Sequence, residues 1–175
     1  MVWEHYYDKD FIVREGDVVT ATDPCYDAPE GVHFNLPVGV YECMYDITDE
    51  GLWGRRVAKC AILREGSHLY EPDEAYRILE GSTGVDAGLA GFFINKPDYD
   101  DPAWEQFCHE VYANEDGVAY HTPEGFFTQS GYGDGEYDVY ILENRDEVVG
   151  AMIIFIEEPE YDDEDEDDWE DEEDE

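Results

Sequence analysis

Three short segments carry the residues best suited to chemistry. They are Asp23-Pro24-Cys25-Tyr26-Asp27, Gly84-Val85-Asp86-Ala87-Gly88 and Ser130-Gly131-Tyr132-Gly133-Asp134-Gly135. Each sets an Asp among glycine, proline or a small residue, a composition that lets the backbone approach another segment or a ligand closely. If the three loops converge, Asp23, Asp27, Asp86 and Asp134 form a carboxylate cluster. Such a cluster either shares protons or holds a hard cation such as Mg²⁺ or Ca²⁺. Asp23, Asp86 and Asp134 are then the acid–base candidates of a small hydrolase. The competing reading is that each Asp caps its own turn, and Gly133-Asp134-Gly135 ahead of a strand has the composition of an ordinary turn. Cys25 adds a candidate nucleophile, with His33 or His121 as its base. Cys108 and His109 are neighbours on a helix and point about 100° apart, so they do not pair. The chain has no EF-hand spacing, no HExxH, no GxxxxGK[ST] and no GxSxG, and its five histidines show no metal-ligand spacing. No metal and no cofactor are therefore expected.

Charge is the strongest global signal. The chain has 48 acidic and 9 basic residues and a net charge of −39. Sixteen of the nineteen residues from Glu157 to Glu175 are Asp or Glu, which leaves 32 acids against the same 9 bases in residues 1–156. The acidity thus belongs to the folded part as well as to the tail. Such a charge repels nucleic acid and anionic lipid. The fitting partner is a protein with a basic surface, and large basic faces belong mostly to nucleic-acid-binding proteins. Carboxylates set where phosphates would sit compete for that face, so the chain reads as a nucleic-acid mimic or inhibitor. Solubility alone, or adaptation to concentrated salt, is the competing account of the charge. The run Asp162, Asp163, Glu164, Asp165, Glu166, Asp167, Asp168 with Trp169 is the candidate partner-binding segment, the aromatic serving as anchor in a flexible acidic string.

The elements that must position these residues are mostly strands. Val40–Ile47 alternates, with Tyr41, Cys43 and Tyr45 on one face and Val40, Glu42 and Met44 on the other. Arg56–Leu63 returns as its hairpin partner, with Ala58, Cys60 and Ile62 opposite Val57, Lys59, Ala61 and Leu63. Tyr137–Leu142 and Val148–Ile156 make a second hairpin, whose last strand has no polar residue and is expected to be central. Phe11–Val13 and Val18–Ala21 flank a turn at Glu15-Gly16-Asp17. Residues 65–76 read as irregular. Asp101-Pro102 starts a helix with Asp101 as N-cap, and Trp104, Phe107, Cys108, Val111 and Tyr112 form its apolar face.

The fold class expected is α+β: mainly antiparallel β, sandwich-like, with one amphipathic helix. Residues 1–156 form a single globular domain and 157–175 a disordered polyacidic tail. Cys25, Cys43, Cys60 and Cys108 show no CxxC spacing and read as free thiols. The N-terminal MVWEHYYDKD has no signal-peptide pattern, and Val148–Ile156 is too short to span a bilayer, so a cytoplasmic location is expected. Arg55 and Arg56 are expected to pair with nearby carboxylates.

The segments Asp23–Tyr26, Val85–Gly88 and Ser130–Gly135, in that order, with Trp53-Gly54-Arg55-Arg56-Val57-Ala58, resemble a group of small bacterial and phage proteins that has no assigned function. The resemblance covers most of residues 17–156 and not the tail. It implies no catalytic residue. A phage setting would imply an anti-defence inhibitor acting in the host cytoplasm.

Overall fold

In the computed structural model, residues 5–66, 75–113 and 117–157 are described. Eleven strands and one helix follow in chain order: β1 (His5–Val13), β2 (Val19–Thr22), β3 (Val32–Phe34), β4 (Gly39–Asp49), β5 (Arg55–Arg64), β6 (Ala75–Val85), β7 (Leu89–Ile94), α1 (Asp101–Tyr112), β8 (Ala119–Thr122), β9 (Gly125–Gln129), β10 (Gly135–Asn144) and β11 (Glu147–Ile154). They form two antiparallel sheets. The six-stranded sheet has the order β1-β4-β5-β11-β10-β6, and the five-stranded sheet the order β3-β2-β7-β9-β8.

The sheets pack face to face, and period-2 alternation supplies the core. Tyr41, Cys43, Cys60, Ile62, Ala151 and Ile153 of the larger sheet meet Val19, Ala21, Phe92 and Phe126 of the smaller in one buried cluster. Each fully buried large side chain contributes about 1.5–3 kcal/mol relative to exposure. The expected β4–β5 and β10–β11 hairpins are both present. β11 is central, between β5 and β10. Its other face is buried too, with Met152 and Ile154 beside Met44, Ala61, Leu63 and Leu142. One alternation is broken. Asp46 pairs with Lys59 but Ile47 pairs with Val57, so Ala58 bulges and Val57 joins Cys60 and Ile62 in the central core.

The helix packs on the outer face of the five-stranded sheet. Phe107 and Val111 are buried against Phe93, Tyr120 and Phe127, with Trp104 and Cys108 alongside. Its N-cap is Asp100, whose carboxylate accepts from the Ala103 N–H at 2.9 Å. The start expected at Asp101 thus moves by one residue, because an N-cap oxygen must reach the N–H of the third helical residue. Tyr112, expected on the apolar face, is 63% exposed.

β1 and β2 flank the Glu15-Gly16-Asp17 turn but do not pair. β1 joins β4, and β2 joins β3 and β7 in the other sheet. Ala75 and Tyr76, expected to be irregular, begin the eleven-residue β6. Gly84 lies within it because Tyr26 packs there: a Cβ would sit 2.9 Å from the Tyr26 hydroxyl.

Candidate functional site

The three Asp-bearing loops meet at one end of the sandwich. Asp23, directly after β2, is fully buried. Its Oδ1 accepts the Cys25 N–H at 2.8 Å, closing its own turn. Its Oδ2 accepts the N–H groups of Asp86 at 2.8 Å and Ala87 at 2.6 Å in the β6–β7 loop. The third loop attaches to the second through backbone: the Ser130 N–H donates to the Gly88 carbonyl at 3.1 Å. Ser130 Oγ and the Tyr137 hydroxyl both donate to the Gly133 carbonyl, at 2.9 and 2.7 Å, and fix the turn before β10.

The loops converge, yet their carboxylates do different things. Asp23 is a clasp. It ties a loop of the five-stranded sheet to the end of β6 in the six-stranded one with two charge-assisted hydrogen bonds, and a third closes its own turn. Asp86 is exposed and accepts from the Tyr26 hydroxyl at 2.9 Å. Burial, then this hydrogen bond, raises the Tyr26 pKa above its usual value. Asp27 and Asp134 are exposed. Among the described residues, no three His, Cys, Asp or Glu side chains are placed to hold a metal ion.

Cys25 is half-buried beside Asp23. Burial and the neighbouring carboxylate push its thiol up to about 12, so it stays protonated and poorly nucleophilic near neutral pH. Its two candidate bases are engaged elsewhere. His33 shares a 2.9 Å hydrogen bond with Thr20 and lies 3.2 Å from the Pro29 carbonyl, and His121 lies 3.3 Å from the Asp10 carbonyl.

Two supporting residues escaped the sequence reading. Tyr26 bridges the first two loops. Lys96, 5% exposed, donates to the Tyr26 and Pro97 carbonyls and lies 5.3 Å over the Tyr99 ring. Burial lowers its pKa. Its signal was its rarity, as one of three lysines in the chain.

A second feature is spread over the surface. From Glu15 to Gly54 there is no Lys or Arg, and from Ile78 to Asn144 there is only Lys96. The strands of the five-stranded sheet, the loops between them and α1 therefore expose no Lys or Arg among the described residues; exposed Arg14 lies in the loop that enters β2 from β1. The same side exposes Asp27, Glu30, Asp98, Asp101, Glu105 and Glu110. The other cations lie on the six-stranded sheet and its turns. Lys59 pairs with Asp46 at 3.4 Å, and Arg77 with Glu157 at 3.6 Å and over Tyr140. Arg56, expected to pair with a carboxylate, instead donates from Nε to the Trp53 carbonyl at 3.0 Å and lies 5.2 Å over Tyr132. The hairpin end puts that carbonyl three residues away, within easy reach.

The tail candidates Asp162, Asp163, Glu164, Asp165, Glu166, Asp167, Asp168 and Trp169 lie outside the described residues. No described helix is long and apolar enough to cross a membrane. No family model, curated protein or solved structure matches this chain.

Proposed function

We propose that this chain is a non-enzymatic acidic binding protein whose helix-bearing side covers the basic face of a partner protein, in the place nucleic acid would take. The observation that carries the reading is the segregation of charge. The surface formed by α1 and the five-stranded sheet exposes carboxylates and no Lys or Arg among the described residues. A single-sign surface raises encounter rates with an oppositely charged partner. It also excludes like-charged competitors. The acidic run Asp162–Asp168 adds charge of the same sign. The hydrolase alternative loses support from Asp23, whose two oxygens are already engaged by N–H groups.

The test is affinity capture from host lysate with the full chain and with a chain ending at Ile156, followed by a salt titration of the purified pair. The expected result is a nucleic-acid-binding partner that is displaced by added DNA or RNA. Its affinity falls about 10²-fold or more between 50 and 200 mM salt, as charge neutralisation requires. Asp101→Asn, Glu105→Gln and Glu110→Gln together weaken it further. Affinity that is flat with salt, or a partner that nucleic acid does not displace, overturns the reading.

A further inference from the structure

The two charge regimes meet at a seam between the sheets, and a cleft of about 450 Å³ opens there. Its wall on the six-stranded side is the end of β1 and the residue after it, with Asp10, Ile12 and Arg14. Its wall on the five-stranded side is Asn95, His121 and the β8–β9 turn with Pro123 and Glu124. The volume falls in the range of small-molecule sites.

The walls are well fixed. The Ile94 N–H donates to the Glu124 carbonyl at 2.8 Å, which pins the turn to the end of β7. His121 stacks on Tyr7 with ring centroids 6.2 Å apart. Asn95 holds a left-handed backbone, φ 49°, which a non-glycine residue adopts at some cost.

The charges in this cleft are unusual for the molecule. Arg14 makes no ion pair among the described residues, although the chain has 48 acids. Asp10 and Glu124 line the same cleft, and neither pairs with it. Opposite charges that share a cleft without meeting leave room for a ligand carrying both. The overall charge of −39 narrows the choice. A simple anion is repelled by the field of the whole protein, and a simple cation finds carboxylates everywhere on the surface. A neutral zwitterion escapes the repulsion and still uses the guanidinium. Ile12, Ile94 and Pro123 give the remaining wall an aliphatic character.

We propose that this cleft binds a free α-amino acid with an aliphatic side chain, its carboxylate on Arg14 and its ammonium on the Glu124 side. This does not rest on the basic-partner reading.

The test is calorimetric titration of the full chain at pH 7 with L-leucine, 4-methylpentanoate and L-leucinamide. These probes carry both charges, the carboxylate alone and the ammonium alone. The expected result is saturable binding of L-leucine, with each single-charge probe weaker by about tenfold or more, the worth of one charged hydrogen bond. Arg14→Gln weakens L-leucine by about tenfold or more. Arg55→Gln, which changes the net charge equally at a distant hairpin, leaves it unchanged. The Arg14 side chain makes no hydrogen bond among the described residues, so its variant keeps the wild-type circular dichroism. No saturable binding of L-leucine at 10 mM, single-charge probes binding as well, or equal losses in the two Arg variants would each overturn the proposal.

Discussion

The two sides of the sandwich differ more in charge than in architecture. Both are antiparallel and both cover the same central core. On the six-stranded side, cations sit among the acids and are partly used: Lys59 on Asp46, Arg77 on Glu157 and Tyr140, Arg56 on Trp53 and Tyr132. On the five-stranded side the single Lys is buried and holds backbone carbonyls. An acidic protein can therefore be locally neutralised on one face and left uncompensated on the other. Solubility alone does not require that division, since dispersed charge serves it equally well. Beside the shared core, a buried carboxylate links the two sides. Asp23 spends its charge on N–H groups, while the acids outside face solvent.

The strongest way to break this arrangement is to remove the clasp. Asp23→Ala leaves three part-buried N–H groups without their acceptor and is expected to cost about 3–6 kcal/mol, at about 1–2 kcal/mol for each such group, the lower part of the range for a buried one. Urea unfolding measures it. Asp134→Asn, an exposed acid of the same loop cluster, should stay within about 0.5 kcal/mol. Equal effects would end the distinction between clasp and surface carboxylates.

The helix is the next target. Phe107→Ala opens a cavity between α1 and the five-stranded sheet and should cost about 3–5 kcal/mol. Tyr112→Ala, on the solvent side of the same helix, should cost under about 0.5 kcal/mol. Thermal or chemical unfolding of the pair reports how firmly the acidic side is held to the core.

A smaller effect separates the sides by pH. Burial pushes the Cys60 thiol, in the six-stranded sheet, up to about 12 from its usual 9. Cys43 beside it is raised in the same direction by burial. A raised folded pKa gives stability that is complete below the unfolded pKa and is lost as pH rises through the folded one. Stability under reducing conditions should therefore fall from about pH 9 toward pH 12. Lys96, on the other side, has the opposite sign. Its lowered pKa means that the unfolded state holds more protons below pH 10.5, so its contribution rises with pH there. Melting curves of Cys60→Ala should fall less steeply above pH 9 than those of the wild type, and those of Lys96→Met more steeply.

Much of the fold was legible because it is local. Tyr41, Cys43 and Tyr45 alternate over a run long enough to fix a face, and a short turn links them to their partner strand. The helix announced itself through Trp104, Phe107, Cys108 and Val111 at helical spacing. β6 was hidden because residues 65–76 read as irregular and Gly84 as part of a loop; Gly81 and Gly84 instead allow the close approach of Val32 of β3 and of Tyr26 in the loop after β2. The Val57 side chain was assigned to the wrong face because a bulge at Ala58 depends on the partner strand. Asp23 stood out as an Asp in a Pro-flanked loop, but sequence could not distinguish a cap, a ligand and a clasp. The three differ only in which N–H groups arrive from 63 and 64 residues away.

Charge, the hairpins, the helix and its apolar stripe could be read from the residues in order, since these depend on composition and on periods of 2 and 3.6 residues. Tertiary structure alone decided that β1 and β2, neighbours across a tight turn, belong to different sheets. It also decided that Asp23 is buried and that the surface cations gather on one side. Those outcomes depend on which distant strands pair, and strand pairing is settled by the burial of whole faces against one another.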